Sequence, residues 1–182
     1  MSSSGANTSG YLPPPTGVPL ALGASTPATH SLPNAAIIAG SINIPLGVTI
    51  TALGVEVTGA GDAGCTLVPV IYKDTGNGRP GNLLIAGTAV PGDATGVQSA
   101  AAALTIPPGW YWAGALLLGA PVTQPTLRTA GPPGLMATGN VNVYGANVST
   151  AWNCQQSGLA APPAVFTPAV TTFSAPVVVI HT

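Results

Sequence analysis

Few side chains in this sequence could carry out chemistry. They are two histidines (His30, His181), two cysteines (Cys65, Cys154), four carboxylates (Glu56, Asp62, Asp74, Asp93) and three cations (Lys73, Arg79, Arg128). A Ser–His–Asp or Cys–His centre needs nucleophile, base and charge stabiliser in one pocket, and the histidines stand near opposite ends of the chain. Two carboxylates could flank a glycosidic bond, but Asp62, Asp74 and Asp93 sit beside glycines in A-G-D-A-G, K-D-T-G and P-G-D-A-T-G, where Asp caps and bends a turn. Two Cys and two His would formally make four zinc ligands, yet neither C-x-x-C nor H-x-x-x-H spacing is present. No D-x-D loop offers clustered oxygens to calcium. The sequence is therefore read as non-enzymatic, with no catalytic residue, cofactor or metal. The cysteines read as reduced, buried small hydrophobes; a disulfide requires that their strands face each other. Lys73, Asp74 and Arg79 flank one turn and are placed for a local ion pair across it.

The other candidates are aromatic. In Trp110-Tyr111-Trp112, strand alternation puts the two indoles on one face and the phenol on the other. Such a pair either caps a core or, with Trp152, forms a platform on which sugar rings stack; Leu116 and Leu118 continue the face inward, which favours the core.

Composition narrows the partners. Lys and Arg number 3 and Asp and Glu 4 among 182 residues, so 4% are charged, against about 25% in an average soluble domain. A surface so poor in charge is either covered by other protein or kept wet by Ser, Thr, Asn and backbone. A net charge of −1 with no basic patch excludes the Lys/Arg neutralisation on which nucleic-acid binding depends. The uninterrupted apolar runs fall far short of the ~20 residues that span a bilayer as a helix. The opening M-S-S-S-G-A-N-T-S-G has neither the basic nor the apolar region of a signal peptide, so synthesis in a cytoplasm is expected and the sequons at Asn7 and Asn147 are read as chance.

The elements that must position these residues are strands. The runs Thr66 to Asp74, Asn82 to Val90, Val97 to Ile106 and Trp110 to Gly119 are separated by Gly/Pro turns and describe a β-meander, with no room for an ordinary helix. Gly76, Gly78, Pro80 and Gly81 define the first turn, with positive φ expected at Gly81. Upstream, Ile42 to Gly59 alternates with period two and reads as one half-buried strand bulged at Gly54. Residues 1–40, rich in Ser, Gly and Pro, read as an extended N-terminal arm whose apolar anchors Tyr11, Leu12, Leu20, Leu22, Ile37 and Ile38 lie along a neighbouring subunit. Residues 41–130 form the core. Residues 131–182 are an irregular, β-rich segment with a short strand at Asn140 to Gly145, a polar loop around Trp152 and a final run, Val177 to His181, that closes the sandwich or pairs with a neighbour.

The motifs Ile71-Tyr72-Lys73-Asp74, Arg79-Pro80-Gly81-Asn82-Leu83-Leu84 and Ile106-Pro107-Pro108-Gly109-Trp110-Tyr111-Trp112 resemble β-sandwich modules of tailed-bacteriophage virion proteins, found in minor tail, tail-fibre and head-decoration proteins of phages that infect actinobacteria. The resemblance spans Ile50 to Leu118. It implies an all-β, antiparallel sandwich, jelly-roll-like, with extended N- and C-terminal arms, in a non-enzymatic structural protein of the virion assembled in the host cytoplasm. A minor tail protein at the tail tip or fibre base is the first expectation and a capsid decoration protein the second. A module binding host-envelope carbohydrate through Trp110, Trp112 or Trp152 is the third. Expected partners are other virion proteins and further copies of the chain, as a homotrimer, with no nucleic acid and no membrane insertion.

Overall fold

In a computed structural model, residues 20–21, 27–44, 46–76, 79–130, 153–168, 170–171 and 175–182 are described. They contain no helix, and so none long and apolar enough to cross a membrane. The strands are β1 (Leu20–Ala21), β2 (Pro27–Ser31), β3 (Ala36–Ile44), β4 (Val48–Gly59), β5 (Thr66–Asp74), β6 (Pro80–Ala86), β7 (Val90–Pro91), β8 (Gly96–Ile106), β9 (Gly109–Leu118), β10 (Thr126–Ala130), β11 (Asn153–Ser157), β12 (Val170–Thr171), β13 (Ala175–Pro176) and β14 (Val178–His181).

Two antiparallel sheets pack face to face, making the all-β sandwich expected from sequence. In the first, β4 bonds to β8 on one side and to β14 and β10 on the other, with β1 beyond β14 and β2 and β13 on β10. The second runs β12-β11-β3-β9-β5-β6, with β7 also on β5. The pairs are nested: β3 with β9, β4 with β8, β5 with β6. This corrects the meander. Of its four runs, only those of β5 and β6 pair as sequence neighbours, whereas β8 crosses to the first sheet and β9 returns to lie between β3 and β5. Gly/Pro turns mark where strands end but carry no information on which strand comes next to which.

The core between the sheets has two parts. One gathers Ile38, Leu67, Ala115 and Leu117 against Val55, Val57, Ala100 and Leu127; the other sets Ile42, Ile44, Ile71 and Tyr111 against Ile50, Leu53, Ile106 and Ile180. A third cluster, Ile37, Val68, Val70, Tyr72, Trp112, Leu116, Cys154 and Phe166, lies on the opposite face of the β3-β9-β5 sheet. It is roofed by residues 158–168 of the same chain, which begin at the β3 edge, where Leu159 N–H donates to the Ala35 carbonyl, and end along β6, where Leu83 N–H donates to Ala164 O and Phe166 N–H to Gly81 O. Tyr72 donates its hydroxyl to Pro163 O at 3.1 Å, and its ring lies 5.1 Å from that of Phe166. A strand buried on both faces has no polar side to show, so L-V-P-V-I-Y in β5 and A-G-A-L-L in β9 read as unbroken apolar runs.

The first sheet is different. Its outer face presents Thr49, Thr51, Ser99, Ala101, Ala103 and Thr105, all exposed, and β8 along its edge has only β4 as a partner among the described strands. Thr49 and Thr105 share a hydroxyl hydrogen bond across β4 and β8.

The expected boundaries move. The run from Ile42 to Gly59 is divided between β3 and β4, one in each sheet, because the chain turns after Ile44. The irregularity lies opposite Ile50 to Ala52, where β8 from Leu104 to Ala101 has one residue more than β4, while Gly54 pairs regularly with Ser99 and Val179; there the inward positions of β4 change from Ile50 to Leu53, Val55 and Val57. The sandwich begins before residue 41: Ile37 is fully buried and Ile38 is 1% exposed, so these two pack inside their own chain and are not anchors for a neighbour. The polar stretch after Trp152 is in part strand, since Asn153–Ser157 pairs with β3. The final run joins its own chain, with Val178 to His181 on β4.

Candidate functional site

At one end of the sandwich, the β8–β9 turn and the end of β5 enclose a groove of about 480 Å³, lined by Lys73, Asp74, Gly76, Pro107, Pro108, Gly109, Trp110 and Tyr111. Local chemistry builds it. Pro107 and Pro108 cannot continue the β8 ladder, so the chain turns at once and β9 starts at Gly109. Tyr111 points inward, where burial raises its phenol above the ordinary value, and donates its hydroxyl back to Pro107 O at 2.7 Å, tying the turn shut. Trp110 is the exposed member of the aromatic triplet, at 43%.

Asp74 fixes the other wall. One oxygen accepts the Gly76 backbone N–H at 2.7 Å and the other the Trp112 indole N–H at 2.8 Å. Gly76 has φ +91°, a conformation that glycine adopts without penalty. Of the other residues read as defining this turn, Pro80 and Gly81 are buried within β6, and Gly78 lies outside the described residues. Gly81 is not among the positive-φ residues. Its reason is space: a Cβ there would stand 2.9 Å from Thr75 Cγ2.

The aromatic platform does not form as a pair. Trp112 is fully buried with Tyr72 and Leu116, leaving Trp110 on the surface; Trp152 lies outside the described residues. The lost partner is explained by the roof of residues 158–168, which lies over the outward face of β9 beyond Trp110. Of the arm anchors, Leu20 is in β1, opposite Ile180, and Tyr11, Leu12 and Leu22 lie outside the described residues, as do the sequons at Asn7 and Asn147 and the strand expected at Asn140 to Gly145.

A comparison with protein-family models gives no match, and a search of curated proteins gives none. The residues themselves must carry the functional argument.

Apart from the groove, the chemistry-bearing side chains are distributed. At the opposite end of the sandwich, Asp62 Oδ2 accepts the N–H groups of Val122 and Thr123 at 2.7 and 2.8 Å, and Asp93 accepts that of Gly64. The Thr123 N–H foremost holds the Asp62 carboxyl below its ordinary value. Glu56 forms a two-pronged ion pair with Arg128, and the hydrogen bond to Glu56 raises the Arg128 guanidinium. Cys65 belongs to the core between the sheets and Cys154 to the roofed face; both are free thiols, pushed up by burial, with Asp93 and Asp62 adding to the effect at Cys65. Among the described residues no three His, Cys, Asp or Glu come together.

One contact was not legible in sequence. His181 Nε2 lies 3.1 Å from Ser99 Oγ, bridging β14 and β8 across β4 at Gly54, the residue opposite Ser99. Only strand register brings positions so distant in sequence together. Ser99 is exposed and His181 half-buried on the outer sheet face, and Glu56 is held by Arg128.

Proposed function

We propose that this chain is a non-enzymatic structural component of a tailed-bacteriophage particle, a minor tail protein at the tail tip or fibre base that assembles with further copies of itself, as a trimer, and with other virion proteins. We read the nested strand pairs as a jelly-roll-like winding, which agrees with the resemblance of the Ile50 to Leu118 region to virion modules. The observation that carries the proposal is the outer face of the β4–β8 sheet. It is built largely of Thr, Ser and Ala and bordered by β8, an edge strand of 11 residues with neither charge nor proline. Apart from the irregularity opposite Ile50 to Ala52, the edge has none of the Lys or Pro with which a protein alone in solution blunts such a strand; a subunit of a larger body covers it. Sedimentation of the purified chain at micromolar concentration is expected to show a closed oligomer, and a single monomeric species would contradict the assembly. Density for the chain in a reconstructed particle is expected at the tail tip. Threefold or fivefold capsid positions would replace the tail reading by decoration, which the same sandwich serves equally well.

A further inference from the structure

We propose that the groove at the β8–β9 turn is a binding site for a polyproline segment, and that its occupant is this chain's own Tyr11-Leu12-Pro13-Pro14-Pro15. The inference goes beyond the particle reading and needs no other virion protein.

The groove has the chemistry of a proline-reading surface: Pro107, Pro108, Trp110 and Tyr111 supply flat apolar walls, and Lys73 stands at the rim. Segments in polyproline II form dock on aromatic-lined grooves because their shape is set before binding and little entropy is lost. Their backbone carbonyls have no internal partner, so a rim ammonium is a fitting donor. The segment from Tyr11 to Pro15 holds three consecutive prolines and no charge, which suits a groove whose single carboxylate, Asp74, already accepts from Gly76 and Trp112.

The chain also enters the sandwich from the correct direction. Leu20 opposes Ile180 and Ala21 opposes Val179; Ile180 opposes Leu53 and His181 opposes Ala52; Val48 opposes Ile106. The step from Ala21 to Leu20 therefore runs along β4 in the direction of Val48 and Ile106, the end at which Pro107 and Trp110 stand. Crossing from β1 over β14 and β4 to β8 is about 14 Å at ~4.8 Å per strand, and running from the level of Leu53 to that of Val48 is about 17 Å. The straight line is about 22 Å. In polyproline II form the chain from Leu20 back to Pro13 spans about 22 Å and to Tyr11 about 28 Å. A polyproline II path of that length is enough to bring the segment from Tyr11 to Pro15 to the β8–β9 turn, beside which the groove opens.

The test replaces Tyr11 by the photo-reactive p-benzoyl-phenylalanine in the full chain, followed by irradiation, digestion and mass spectrometry. Cross-links are expected on Pro107 to Tyr111, at monomer mass if the segment folds back and at dimer mass if copies exchange it; both place the segment in the groove. Trp110→Ala is expected to reduce their yield about tenfold or more, as for the loss of a central Trp anchor, with the far-ultraviolet circular dichroism unchanged because Trp110 is a surface residue. In a full chain with Pro13, Pro14 and Pro15 replaced by Ser, a synthetic Gly10 to Thr16 peptide is expected to shift the Trp110 indole resonance saturably. Cross-links that fall elsewhere, a yield indifferent to Trp110→Ala, or no shift with the peptide would overturn the site. A host-wall glycan that binds the wild-type chain, is lost in Trp110→Ala and leaves no cross-link to the groove would assign it to a sugar instead.

Discussion

The indole N–H of Trp112, fully buried, donates to Asp74 Oδ2 at 2.8 Å, while the other oxygen of Asp74 holds the Gly76 N–H of the β5–β6 turn. One carboxylate therefore joins the roofed face of the sheet to the wall of the groove. Asp74→Ala leaves a buried donor unpaired and is expected to destabilise by about 1–3 kcal/mol. Urea unfolding of Asp74→Ala, Trp112→Phe and the double variant should show a coupling on the order of 1 kcal/mol; strictly additive losses would mean the bond contributes nothing.

Gly81 and Gly76 are required for different reasons, and substitutions can separate them. At Gly81 a Cβ would crowd Thr75 Cγ2, so Gly81→Ala should lower the melting temperature and Thr75→Ser, which deletes that methyl, should restore part of it. At Gly76 nothing lies within 4 Å of a Cβ, but φ is +91°. Gly76→Ala is expected to cost about 1 kcal/mol or more, with no rescue from Thr75→Ser. Equal rescue of both would refute the distinction.

The roof predicts an asymmetry between neighbouring residues. Phe166 is 1% exposed with its ring tilted against that of Tyr72, while Val165 is 50% exposed. Phe166→Ala should destabilise by about 3–5 kcal/mol and increase binding of a hydrophobic dye to the uncovered sheet face, and Val165→Ala should leave unfolding midpoint and dye signal close to wild type.

Acid tests the loop end of the sandwich. The Asp62 carboxyl is held below its ordinary value foremost by the Thr123 N–H. A depressed folded-state value means that its stabilisation is full above the unfolded value near ~3.9 and is lost as pH falls through the folded one. Melting temperature of the wild type should therefore decline below about pH 4, and Asp62→Asn should start lower at neutral pH and decline less over that window. A parallel decline of the two proteins would remove Asp62 from the acid response.

The sequence by itself determined the all-β class and the central strands β5, β8 and β9. Thr66–Asp74 was readable to the residue, because apolar β-formers bounded by glycine leave no other local choice, and β8 and β9 were displaced by a residue at most. It also determined the charge-poor surface and the Asp-capped turns, which depend on neighbours in sequence. Tertiary structure alone decided which strands pair. It put Ile37 and Ile38 into the core although Ser, Gly and Pro surround them, since a strand between two others is recruited by its partners β9 and β11. It also separated Trp110 from Trp112, which alternation treats alike, because the roof of residues 158–168 covers one and stops short of the other. Hydrophobic pattern reports that a side chain has a buried face available; only the register and the layer above it determine whether that face is covered, and the groove exists where the cover ends.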